Sequence, residues 1–150
     1  MAETAAELAK RRLEELVSFF GVNAQATVVE NEEGIELALE ADSSGLLIGY
    51  HGETLRSLQY LVNLMVQNTG ERRRVYIDVA GYKKARAYSL EKQALEIAKR
   101  VVESGKEEAL PPMNAAERRI VHLALKNIEE IDTDSRGEDP KRYIVVLPKA

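Results

Sequence analysis

A chain of 150 residues with 45% hydrophobic and 31% charged residues reads as a soluble globular protein, either one ordinary domain or two small ones. A formal charge of −4 argues against indiscriminate nucleic-acid binding, so where the charges lie matters more than their sum. The lack of cysteine excludes disulfides and cysteine-based zinc sites, and no apolar run approaches the roughly 18 residues of a membrane span. With no signal-peptide hydrophobic region over Met1–Lys10, the chain is expected in the cytoplasm with no membrane insertion.

Leu8, Leu13, Leu16, Val17 and Phe20 repeat at helical spacing from Thr4 to Phe20, with Gly21 as the stop. Ala26–Glu30 and Ile35–Glu40 read as two strands around a turn at Asn31-Glu32-Glu33-Gly34. In the second strand Ile35, Leu37 and Leu39 alternate with Glu36, Ala38 and Glu40, the mark of a sheet with one wet face. Asp42 or Ser43 can cap a short helix, Ser44–Ile48. From Glu53 to Asn68 a longer helix carries Leu55, Leu58, Leu61, Val62 and Met65 as its apolar stripe, and Arg74–Ala80 is a third strand.

Gly81 is the expected boundary, giving domains 1–80 and 81–150. The first carries 7 Lys+Arg against 13 Asp+Glu, a charge of −6, and the second 14 against 12, a charge of +2. Beyond the boundary a helix is predicted over Tyr82–Ser104, with Leu90, Ala94, Ile97, Ala98 and Val101 on one side. Pro111-Pro112 interrupts regular structure, and Asn114 can cap a helix running to about Ile128. Ile131–Arg136 and Arg142–Leu147 read as strands around Gly137-Glu138-Asp139-Pro140, and the run Ile144-Val145-Val146-Leu147 suggests burial on both faces. The fold class is α+β, as two small α+β units.

Two constellations point to chemistry. Gly49-Tyr50-His51-Gly52 lies between two helical segments, and glycine at both ends allows dihedrals and close approach denied to other residues. The following helix turns its positive end toward the loop, which suits a phosphodiester. About 65 residues later Arg118 and His122, at i and i+4, project from one side of a helix that Lys126 extends, while Ile120, Ala124 and Ile128 stand elsewhere and pack. The bland alternatives are a helix corner for the first and a solvated charged face for the second. Three basic clusters, Arg72-Arg73-Arg74, Lys83-Lys84 with Arg86, and Arg118-Arg119, admit the same alternative. Strand-edge protection would explain the first. Cations at the positive end of a helix, in the second, hint at contact with a nucleic-acid strand.

The order helix, two strands, short helix, glycine-x-x-glycine loop, helix, strand resembles a type II KH domain over Leu8–Ala80. Leu110-Pro111-Pro112-Met113-Asn114 followed by Glu117-Arg118-Arg119-Ile120-Val121-His122 is similar to the signature of an R-3-H domain, arginine and histidine separated by three residues. The tail from Ser135 to Tyr143 is similar to that domain's closing hairpin. Together they resemble the bacterial Jag (KhpB-like) family, without the separate amino-terminal domain that many of its members carry.

The resemblance implies single-stranded RNA as the partner, single-stranded DNA being the alternative, with the KH loop clamping about four nucleotides. It implies contact through Gly49, Tyr50, His51 and Gly52, a base groove walled by Ile48 and the strand Ile35–Leu39, and a phosphate held by Arg118 and His122 with Arg142 nearby. It further implies a regulator of bacterial RNA metabolism that pairs with a second small KH protein. The second loop position of KH domains is most often Lys or Arg; here it is His51, largely neutral at pH 7 by its ordinary pKa of about 6.5. That substitution and the acidic first half favour the competing reading, a protein-interaction adaptor with weak RNA affinity. Nothing favours catalysis. His51 and His122 lack metal-ligand spacing, Ser43 and Ser44 lie in no nucleophile elbow, and the adjacent acidic pairs face apart, so no catalytic residue, metal or cofactor is expected.

Overall fold

The structure, a computed structural model, describes residues 2–150. The chain divides into two compact units, Met1–Lys83 and Lys84–Ala150. Each has its own apolar core, and the fold is α+β throughout.

Unit 1 opens with α1 (Ala5–Ser18), started by a capping box. Thr4 Oγ1 accepts from the Glu7 N–H at 3.1 Å while Glu7 Oε2 accepts from the Thr4 N–H at 2.9 Å, satisfying two amides that no helical turn could serve. β1 (Ala24–Glu30) and β2 (Gly34–Ala41) form an antiparallel hairpin. The chain then crosses through α2 (Ser44–Ile48), a single 3-10 turn (Tyr50–Gly52) and α3 (Glu53–Gln67) to β3 (Arg74–Val79), which lies parallel to β2. The sheet order is β1-β2-β3. The period-two alternation holds: Ile35, Leu37 and Leu39 of β2 with Val75, Ile77 and Val79 of β3 are fully buried beneath the helices. Emptying one such position, Leu37→Ala for example, costs about 2–5 kcal/mol.

Two expectations for unit 1 are corrected. Leu61 of α3 is exposed and Met65 half-buried; the inward stripe runs Leu55, Leu58, Val62, Asn63 and Val66. A polar residue takes a core position because it closes the open edge of β3. Asn63 is only 8% exposed, its Nδ2 donating to Val75 O and its Oδ1 accepting from the Val75 N–H, both at 2.8 Å. Gln59 Oε1 accepts from the Ile77 N–H at 2.9 Å. Two side chains of α3 thus supply what a fourth strand would have supplied. The second correction is β2 as a groove wall: it is the middle strand, paired on both edges, with its odd-numbered side chains in the core.

Unit 2 contains most of α4 (Tyr82–Ser104), then β4 (Glu108–Ala109), α5 (Ala115–Leu125), β5 (Ile131–Arg136) and β6 (Tyr143–Pro148). Asn114 caps α5 as expected, Oδ1 accepting from the Glu117 N–H at 2.9 Å, but the helix ends at Leu125 rather than Ile128. The sheet is antiparallel in the order β4-β6-β5, so β6 is central. Ile144, Val145 and Val146 are all buried, as the unbroken apolar run predicts. β4, only two residues long, was not anticipated.

Candidate nucleic-acid interface

The loop of unit 1 is built from backbone. Gly49 (φ 72°), His51 (φ 50°) and Gly52 (φ 82°) all sit in the left-handed region. A side chain at Gly49 would run into the Thr54 hydroxyl, and one at Gly52 would lie 2.9 Å from the Tyr82 ring, so both glycines are required by dihedral and by space. His51 bears the cost of that conformation without being glycine, about 1–2 kcal/mol. Its ring stacks on Tyr50, centroids 3.9 Å apart. Tyr50 is 73% exposed, whereas His51 is half-buried and Gly52 buried against Tyr82. The loop therefore offers one open aromatic face, that of Tyr50 away from His51.

No side chain caps α3 at Gly52, so the helix's positive end faces the loop. Glu53 stands in its first turn and opposes an incoming phosphate, while Arg56, one turn on, is exposed. Helical side chains lean toward the N-terminus, so Arg56 covers the turn next to the loop. It is a cation the sequence reading passed over, masked by the acidic balance of its unit. One member of each flanking basic cluster near the loop, Arg73 and Lys83, is engaged within the unit. Arg73 Nη1 reaches Glu30 Oε2 at 2.8 Å and Arg73 Nε reaches Glu71 Oε1 at 3.1 Å; the Arg73 guanidinium holds the Glu71 carboxyl down at about 2. Lys83 Nζ donates to Gln59 Oε1 at 2.9 Å, and burial pushes its pKa down.

Unit 2 builds its surface from side chains held by other residues. Arg118 is placed differently from the expectation of an outward donor: it is 8% exposed, its Nη1 donating to Met113 O at 2.7 Å and to Asp139 Oδ1 at 3.0 Å. The i, i+4 spacing correctly puts Arg118 and His122 on one side of α5, but that side is partly covered. His122 Nδ1 lies 2.7 Å from Thr133 Oγ1. Burial, then the nearby Arg118 cation, hold its pKa below the ordinary value, while Asp134 pulls the other way. Arg142 Nε donates to Ser135 Oγ at 2.9 Å and its Nη1 to Gly137 O at 3.2 Å. Met113 links the two arginines, because its carbonyl takes Arg118 and its N–H donates to Arg142 O at 3.1 Å.

Among the described residues no fully buried side-chain nitrogen or oxygen lacks a partner. The nitrogens of Arg118, His122 and Arg142 that make no bond within the protein therefore reach the surface. Each group is thus tied on one side, with its remaining nitrogens not fully buried. Arg86, grouped in sequence with Lys83 and Lys84, is occupied with the buried Glu117, Nε to Oε1 at 3.3 Å and Nη2 to Oε2 at 3.5 Å. Thr133, Ser135 and the Met113 backbone were missed by sequence reasoning. The signal available was alternation: Thr133 and Ser135 share the β5 face that carries Ile131 inward.

Residues 6–79 match the KhpA/KhpB KH-domain family and residues 89–148 the R-3-H domain family. The chain is thus a tandem protein of a KH domain and an R-3-H domain. It is 40% identical over 121 residues to RNA-binding protein KhpB of Clostridium symbiosum, an alignment covering 80% of this chain and 54% of that one. Against the protein of the same name from Lactiplantibacillus plantarum the identity is 34% over 145 residues, 96% and 45% of the two chains. Against that of Bacillus subtilis it is 29% over 144 residues, 94% and 69%. The chain belongs to the Jag (KhpB-like) family, and it spans about half the length of the first two relatives.

Proposed function

We propose that this chain binds single-stranded RNA, the loop Gly49–Gly52 and the group Arg118, His122 and Arg142 each taking a stretch of phosphate backbone. It acts without chemistry of its own, as a bacterial RNA-binding regulator. The observation that carries the reading is in unit 2: three donor groups, each anchored on one side, keep further nitrogens that are not fully buried, with Arg118 close enough to His122 to act on its charge and tied to Arg142 through Met113. The uncapped helix end beside a glycine-bracketed turn supports it in unit 1, with Tyr50 available to stack on a base. The names of the relatives point the same way.

The test is a titration of short single-stranded RNA across a salt series. Each phosphate neutralised adds about −0.7 to the slope of log affinity against log salt for single strands, and a slope of several such increments is expected. No binding at low salt, or a duplex bound as tightly as a single strand, overturns the reading.

One observation favours a protein partner in addition. Tyr60, Leu61 and Leu64 are exposed together along α3. A second small KH protein is the occupant this reading names. Sedimentation of the two proteins together should show a complex that Leu64→Asp abolishes; a complex indifferent to that change rules this surface out.

A further inference from the structure

Thr133 and Ser135 stand two residues apart on one face of β5, and each is hydrogen-bonded to one of the groups assigned to phosphate: Thr133 to His122, Ser135 to Arg142. For Arg142 the roles are unambiguous, because a guanidinium only donates. For His122 they are not. A neutral imidazole carries one proton, and the 2.7 Å contact fits either Thr133 donating to Nδ1 or Nδ1–H donating to Thr133. The two cases present opposite faces to a ligand. In the first, Nε2 carries the hydrogen toward the surface; in the second, Nε2 points a lone pair there, and phosphate oxygens only accept.

We propose that Thr133 is a positioning residue whose hydroxyl donates to His122 Nδ1, fixing the tautomer that turns Nε2–H toward the bound phosphate. The assignment rests on the phosphate reading of unit 2. Three observations carry it. His122 is the single side-chain partner of the Thr133 hydroxyl among the described residues, so donation to Nδ1 is the one protein bond that uses its proton. The Nε2 atom reaches the surface, where water or phosphate can accept from it. The ring is held neutral by burial and by Arg118, so the hydrogen bond, not a second proton, decides which nitrogen is the outward donor.

The test uses the full chain labelled with 15N-histidine. A long-range 1H–15N spectrum at pH 7.5 is expected to show His122 Nδ1 unprotonated and Nε2 protonated; the opposite pattern overturns the proposal. Thr133→Val keeps the β-branched shape but removes the hydroxyl. It is expected to mix the two tautomers and weaken single-stranded RNA binding about three- to tenfold. Thr133→Ser should restore both. In a His122→Ala background Thr133→Val should have no further effect on binding, since its action runs through the ring. A Thr133→Val variant that loses affinity with an unchanged tautomer, or loses it equally without His122, would make Thr133 a merely structural residue and sink the idea. If the unaltered chain binds no RNA, the phosphate reading falls while the spectrum still decides the hydrogen-bond assignment.

Discussion

In unit 1 the candidate surface is made of backbone: three left-handed residues, two of them glycines, and an uncapped helix end, set in a unit of charge −5 once Lys83 is counted. In unit 2 it is made of side chains, Arg118, His122 and Arg142, each steadied by a second residue. The two can serve one kind of ligand by different means. A backbone site tolerates poor loop charge but no added carbon; a side-chain site tolerates drift in its scaffold but fails when one supporting bond goes. The difference also bears on salt, because the second site would meet a ligand through two guanidinium groups and an imidazole, the first mainly through backbone.

The strongest way to break this comparison is Gly52→Val. A β-branched residue at φ 82° facing Tyr82 combines about 1–2 kcal/mol of backbone cost with about 1–3 kcal/mol of overpacking. Unit 1 should lose about 2–5 kcal/mol in urea unfolding and the loop's share of RNA affinity with it; a stable variant with unchanged affinity would mean the loop is not a tight backbone site. Next comes Arg118→Ala. Freeing Met113 O costs about 1–3 kcal/mol of stability, and the salt slope of RNA binding should become shallower by about 0.7. Arg118→Lys should not restore the fork, since an ammonium gathers its donors on one atom and lacks the spread, planar nitrogens that let a guanidinium reach inward and outward at once.

A smaller effect of opposite sign is expected at Glu53→Gln. Removing a carboxylate from the positive end of α3 should tighten single-stranded RNA binding two- to fivefold at low salt, read by fluorescence anisotropy. Weaker binding would place the phosphate away from that helix end. The smallest effect is that of pH on unit 2. The folded state holds His122 below its ordinary pKa of 6.5, so below that pH the unfolded chain takes up the proton more readily. Stability should therefore fall as pH drops through 6.5, levelling once the folded-state pKa is passed, and His122→Gln should remove that component. A urea midpoint of unit 2 that is equally pH-dependent without His122 would assign the effect to another group.

The architecture was largely legible because both periodicities are clean. Odd-numbered apolar residues in β2 and the run at Ile144–Val146 announced a half-wet strand and one buried on both faces. The glycines and the Arg118–His122 spacing were also visible. What spacing could not show was depth: i and i+4 share a side of a helix whether that side faces water or the turn bearing Asp139, so Arg118 read as an outward donor. Asn63 was invisible for a related reason, since its partners are the backbone of a strand twelve residues on. β4 was missed because two residues carry no period, and Thr133 because a lone hydroxyl acquires meaning only when folding brings an imidazole to it.

The amide of Asn63, clasping Val75 like a neighbouring peptide, makes the first sheet one-sided in its growth. A visiting strand finds β3 already occupied, so any recruitment by β-augmentation has to come to β1 at the opposite border. Trading that asparagine for leucine would leave the N–H and C=O of Val75 without their partner, while Gln59 still held Ile77.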